Sequence, residues 1–124
     1  MERKYDIEER CIVFAAAVVK YTDNMPDSTA GRHLAGQLLR SGTAPALHYG
    51  EVQGAESQRD FIHKMSIALK ELRESKNNMR IQVLVGFMDL KRPDHDWLLK
   101  ECGELVAIFT ASVKTAKKNN LPKK

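Results

Sequence analysis

Long apolar runs, clustered cysteines and aromatic residues are all scarce in this chain of 124 residues. The longest apolar stretch, Cys11 to Val19, is nine residues long, about half of what a membrane crossing requires. The N-terminal decapeptide mixes Glu2, Arg3, Lys4, Asp6, Glu8, Glu9 and Arg10, whereas a secretory leader runs from a basic start straight into an apolar stretch. Both features lead us to expect a soluble cytoplasmic protein with no membrane partner. Cys11 and Cys102 stand far apart with no CxxC motif. Each sits in apolar helical sequence, where a thiol behaves as a small buried hydrophobe; a disulfide or a reactive thiol is the alternative. Aromatics make up 6% of the residues, and none interleaves with the basic clusters as single-strand binders require for stacking. Gly-x-Ser-x-Gly is absent, and no His lies near either Cys in sequence. Nothing positive supports an enzyme or a cofactor.

What is present is helical periodicity, four times over. The first helix is expected to open on Asp6 as N-cap, with Glu9 three residues on. Its apolar seam is Ile7, Cys11, Phe14, Val18 and Tyr21, with the 4-3-4-3 spacing of coiled-coil packing. The second runs from about Ser28 to Gln53 despite Gly31, Gly36, Gly42, Gly50 and Pro45. An interior Pro costs about 3 kcal/mol and each Gly about 1 kcal/mol against Ala, so packing must hold this helix. Pro45 is expected to kink it by freeing the carbonyl of Ser41. Ala35, Gly42 and Ala46 would let a neighbouring helix approach closely; a phosphate loop would need a preceding strand and Gly-Lys-Ser/Thr, both absent.

The third helix begins at Ser57 with Asp60 as capping partner and runs to about Met88, a rod of about 46 Å. Its seam is Phe61, Met65, Ala68, Leu72, Ser75, Met79 and Gln82 or Val83. The fourth starts after Pro93 with Asp94 as N-cap and runs from Trp97 to about Lys117. Short connections between long helices specify an all-α, up-down-up-down antiparallel four-helix bundle. Residues 1–118 form it, and 119–124 make a flexible basic tail.

Charge follows the chain unevenly. The formal net charge is +4 and the pI about 9.1, a balance that points toward nucleic acid. Residues 112–124 carry Lys114, Lys117, Lys118, Lys123 and Lys124 and no acid. Without those five, 15 basic residues face 16 acidic ones, a net of −1. On the third helix Lys70, Arg73, Lys76 and Arg80 form a basic ridge interleaved with Glu71 and Glu74. Such a pattern reads as a solvated face with local ion pairs. Repeated around an oligomer, the ridge and the lysines at 114, 117 and 118 would add up to a surface for RNA or DNA phosphates.

Helix 1 is apolar around its whole circumference from Cys11 to Val19, and helix 4 spreads apolar residues over about 200°. A lone bundle needs a stripe only somewhat over 100° wide. A homo-oligomer built on helices 1 and 4 is therefore expected, with Trp97, Leu99 and Val106 at its interface. A protein partner covering the same faces is the alternative.

An antiparallel hairpin turning near residues 54–57 places positions summing to about 111 opposite one another. Arg40 then faces Glu71 and Glu74 as a structural ion pair. The same register sets His48 opposite His63 and Glu51 opposite Asp60, a set that could bind a divalent transition metal. Against it, Asp60 has a capping role and Lys64 can pair with Glu51, so no metal is assigned.

The segments Gln37-Leu38-Leu39-Arg40-Ser41-Gly42-Thr43-Ala44, His48-Tyr49-Gly50-Glu51, Ala55-Glu56-Ser57 and Asp60 through Glu74 resemble a known family. It comprises small bacterial four-helix bundles first met as products of intervening sequences within large-subunit rRNA genes. Accessory variability proteins of diversity-generating retroelements are related to them. The likeness spans about residues 5–118. It implies a bundle assembled into a ring, typically a pentamer, with no assigned activity for most members; the retroelement relatives pair a basic barrel with nucleic acid and a reverse transcriptase. Two positions depart from the pattern: His48 stands where Asn is common, and Pro45 where a β-branched or small residue is usual.

Overall fold

The computed structural model describes residues 3–120, with side chains from Ile7 onward; Lys123 and Lys124 lie outside the described residues. Four helices account for nearly all of it: α1 (Arg3–Asp23), α2 (Thr29–Gln53), α3 (Gln58–Val85) and α4 (Pro93–Asn119). No strand occurs among the described residues. Packing runs α1 on α2, α2 on α3 and α3 on α4, with a thinner α1–α4 contact closing the square. This is the up-down-up-down antiparallel bundle.

The helix boundaries follow local chemistry. Ser28 Oγ accepts from Gly31 N–H at 3.0 Å and Ser57 Oγ accepts from Asp60 N–H at 3.0 Å, each satisfying a first-turn donor. Asp60 reaches back one residue further than a standard capping box, accepting from Glu56 N–H at 3.2 Å. Two expected caps are corrected. Helix α1 begins at Arg3, so Asp6 lies within it. Helix α4 begins at Pro93 with Arg92 at the cap position, because proline suits the first helical position, where its missing N–H costs nothing. Asp94 lies one residue inside.

Helix α3 ends at Val85, short of Met88, giving a rod of about 42 Å. Gly86 turns left-handed with φ 85°, and Phe87 and Gly86 N–H donate to Gln82 and Val83 carbonyls at 2.9 and 3.3 Å. That is a Schellman stop, which glycine adopts without a Cβ penalty.

The core is one seam per helix. Cys11, Phe14 and Val18 of α1 meet Leu38 and Val52 of α2, Met65, Leu72 and Met79 of α3, and Leu98, Leu105 and Phe109 of α4. Helix α2 continues through Pro45, whose ring is buried. At Gly42 helices α1 and α2 pack closely: a Cβ there would stand 2.9 Å from both γ-methyls of Val18. Polar groups also enter the core as a chain. Tyr21 OH donates to Gln82 Oε1, Gln82 Nε2 to Asn78 Oδ1 at 2.7 Å, and Asn78 Nδ2 to Leu34 O at 3.0 Å. Gln82 is wholly buried, and this chain links α1, α3 and α2 at one level. Ser41 and Ser75 hydroxyls add a buried bond of 2.7 Å between α2 and α3.

Candidate nucleic-acid interface

Helix α3 carries the basic ridge. Lys70, Arg73 and Arg80 are exposed and Lys76 is half-buried. At 100° per residue the four fall within about 120° of the helix circumference. Glu71 and Arg80, nine residues apart, point in opposite directions by the same arithmetic, about 180°. Glu71 is therefore turned away from the ridge, while Glu74, about 40° from Lys70 around the helix, borders it.

Their partner is Arg40 of α2, which donates to Glu71 at 2.9 Å and to Glu74 at 2.9 Å. Hydrogen bonding to Glu74, followed by the charge of Glu71, raises the guanidinium pKa. The other acids of α3 and α4 are engaged as well. Asp60 binds Lys64 at 3.2 Å, Asp94 binds Arg92 at 3.3 Å, and Asp96 binds Lys100 at 2.9 Å. Glu101 and Glu104 both hold Arg10 of α1 at 2.8 Å. The Glu56 backbone N–H, then Lys64, holds the Asp60 carboxyl below its ordinary value; Arg92 does the same for Asp94.

Every acid on α3 and α4 thus sits in an ion pair. Arg59, Lys70, Arg73, Lys76, Arg80, Lys114, Lys117 and Lys118 of the same two helices make none among the described residues. Residues 7–56 hold 4 basic and 6 acidic residues, net −2, while residues 57–120 hold 12 and 8, net +4. Three of those twelve, Lys114, Lys117 and Lys118, belong to the basic C-terminal segment; without them residues 57–111 hold 9 basic and 8 acidic residues, net +1.

Two contacts set the register between α3 and α4. Gln58 Nε2 donates to Ala116 O at 3.2 Å and Cys102 Sγ to Leu72 O at 3.4 Å. Both pairs sum to 174, so Lys114 lies level with Asp60, and Arg80 with Asp94. From Arg59 to Arg80 the basic face is about 32 Å long, the axial span of roughly nine phosphates of one strand of duplex DNA. Arg59 is a member that sequence reading missed; its position on the same side of α3 as Lys70 and Arg73 was the available signal.

The remaining residues singled out by sequence are not gathered into one site. His48 Nδ1 lies 4.0 Å from Glu51, both exposed, while Asp60 is taken by Lys64 and the Glu56 N–H, and His63 is exposed. No group of three or more His, Cys, Asp or Glu among the described residues is placed to hold a metal ion. Trp97 is 41% exposed, whereas Leu99 and Val106 are half-buried against the core. Trp97 and Val106 are nine residues apart, so they leave α4 in opposite directions and form no common patch. Exposed apolar side chains are spread over the bundle: Leu39 and Leu47 on α2, Ile67, Ile81, Leu84 and Val85 on α3, and on α1 a group of Ile12, Val13 and Val19 beside Ala16, 42–46% exposed. Cys11 and Cys102 are buried free thiols, and burial pushes each up to about 12. No helix among the described residues is long and apolar enough to cross a membrane.

The same bundle occurs in a crystal structure from Bacteroides thetaiotaomicron, a protein of unknown function from the S23 ribosomal protein family. It superposes with a TM-score of 0.78 at 22% identity, over 90% of this chain and 97% of that one. No curated protein matches the sequence. A family model does match, over residues 3–111. On that match the chain belongs to the 23S rRNA-intervening sequence protein family.

Proposed function

We propose that this protein is a non-enzymatic, self-associating helical scaffold that binds RNA or DNA by its phosphate backbone along the outer face of α3 and α4. The observation that carries the reading is the segregation of charge. Seven acids on these helices are held in ion pairs, and eight cations, seven exposed and Lys76 half-buried, have no such partner among the described residues. Lysine and arginine contacts to phosphates carry no sequence information, and no aromatic interleaves with these cations to stack on bases. The printed names 23S rRNA-intervening sequence protein and S23 ribosomal protein family make ribosomal RNA the first nucleic acid to test.

Self-association supports the same reading by placing several basic faces in one particle. The outward face of α1, with Ile12, Val13 and Val19, is the surface for it. The resemblance to ring-forming bundles makes a closed ring, typically of five chains, the expected assembly. Light scattering at micromolar concentration should give a multiple of 14.0 kDa, and Ile12→Glu with Val13→Glu should reduce it. A monomeric wild-type mass would transfer the α1 face to a different protein partner, the adaptor reading. Deleting residues 112–124 is a poor test of nucleic-acid binding, because Val113 and Ala116 are core residues. Replacing Lys114, Lys117 and Lys118 by Gln removes charge alone, and should weaken binding of a ribosomal RNA fragment in a mobility-shift titration at low salt. Unchanged binding would remove α4 from the interface.

A further inference from the structure

Away from the basic face, the α1–α2 and α3–α4 connections and the start of α4 enclose an open cleft of about 830 Å³ at one end of the bundle. That volume lies within the range of small-molecule sites, roughly 300–1,000 Å³. Its lining is unlike the rest of the chain. Tyr21, Phe87 and Trp97 come together there, three of only eight Phe, Tyr and Trp residues, and the His95 ring joins them.

The walls are fixed and the mouth is charged. Tyr21 OH is held by buried Gln82, and the Tyr21 and His95 rings meet edge to face with centroids 4.9 Å apart. His95 Nδ1 accepts from Asp89 N–H at 3.0 Å, so that nitrogen is the acceptor and Nε2 carries the proton as a donor. Lys20 makes no ion pair among the described residues. Arg92 also lines the cleft, already shared with the acid there, Asp94. Aromatic rings in a lining that is otherwise of mixed polarity, with Lys20, unpaired among the described residues, beside them, define the complement: a planar ring bearing an anionic group.

The geometry points to this end cleft as a binding site for a small planar aromatic anion, the ring lying among Tyr21, Phe87 and Trp97 and its phosphate or carboxylate meeting Lys20. An indole that is 41% exposed in a chain poor in aromatics gains a stacking partner when the cleft fills. The site shares no residue with Lys70, Arg73, Lys76 or Arg80, and it stands whether or not the basic face binds nucleic acid.

Trp97 is the sole tryptophan, so its fluorescence reports occupancy directly. The probes are adenosine 5′-monophosphate and 1-naphthoate, which carry both features and distinguish a nucleotide from an aromatic acid. Adenosine supplies the ring alone and inorganic phosphate the charge alone. The expected result is saturable quenching by at least one of the two anions, with adenosine and phosphate each about tenfold weaker or more. Lys20→Ala should weaken the anion about tenfold and leave adenosine unchanged, with an unaltered helical circular dichroism spectrum. Arg73→Glu with Arg80→Glu should leave this quenching intact even where it abolishes RNA binding. Absence of saturable quenching by both anions to millimolar concentration would overturn the proposal, as would adenosine or phosphate binding as tightly as the anions do.

Discussion

Arg40 and Glu71, one on each of two neighbouring helices, meet at 2.9 Å, and this contact decides what the opposite side of α3 presents to solvent. With Glu74 on the same guanidinium at 2.9 Å, both mid-helix acids of α3 are drawn toward α2. The ridge of Lys70, Arg73, Lys76 and Arg80 is left without local neutralisation. Arg40→Ala should therefore lower RNA affinity several-fold although Arg40 is outside the face, because Glu74 is then free to pair with Lys70 four residues before it. Arg32→Ala removes the same charge from α2 without releasing those acids, and should change affinity much less. Anisotropy titrations of the two variants at one ionic strength compare them directly.

Close packing at Gly42 gives a stability prediction. Gly42→Ala puts a methyl 2.9 Å from two carbons of Val18, and overpacking of this kind costs about 1–3 kcal/mol. Gly36, in the same helix, has nothing within 4 Å of a built Cβ. Gly36→Ala should stabilise by about 0.5–1 kcal/mol through the unfolded chain. Opposite signs in urea midpoints would bear this out; equal signs would contradict it.

The buried polar chain should behave as a coupled unit. Gln82→Leu strands Asn78 Oδ1 and leaves Tyr21 OH only its long 3.4 Å contact to Phe87 O, at a cost of about 2–4 kcal/mol. Adding Tyr21→Phe removes the hydroxyl that has lost its better acceptor and should recover part of that loss, so the two changes should be less than additive in denaturant unfolding.

Much of this was legible before any coordinates. The seams of α1 and α3 could be read because burial repeats every three or four residues, and Cys11, Phe14, Leu72 and Met79 all lie in the core. Arg40 opposite Glu71 followed from hairpin register alone. The helix ends were harder, since Asp94 carries a cap signal while Pro93 fills the first helical position, and apolar residues past Gly86 hid the stop there. Trp97 and Val106 lie about 180° apart on α4, so an interface using both would have to engage two sides of that helix. The charge segregation depends on which way each acid turns, and the end cleft on two loops meeting; neither is a local property of the chain.

The buried thiols predict alkaline sensitivity. Cys11 and Cys102 are raised from 9.0 to about 12 and Tyr21 from 10.0 to about 12, all by burial. Between those values the unfolded chain has released protons that the folded chain still holds. Stability is therefore full below about pH 9 and falls progressively toward pH 12. Denaturant midpoints measured across that window should decline, and Cys11→Ser with Cys102→Ser should flatten the decline. Ellman's reagent at pH 8 should label the native thiols only as fast as the protein opens.

The placement of positive charge on α3 and α4 is the central claim, and two double variants of equal charge test it. Arg73→Glu with Arg80→Glu reverses the proposed face, while Lys20→Glu with Arg32→Glu makes the same net change on α1 and α2. Binding of a ribosomal RNA fragment by the full chain should weaken steeply between 50 and 200 mM salt, as counterion release requires. The first pair should abolish most of that binding and flatten its salt slope, and the second should leave both nearly unchanged. Equal effects of the two pairs, or no binding by the wild type at low salt, would contradict the account.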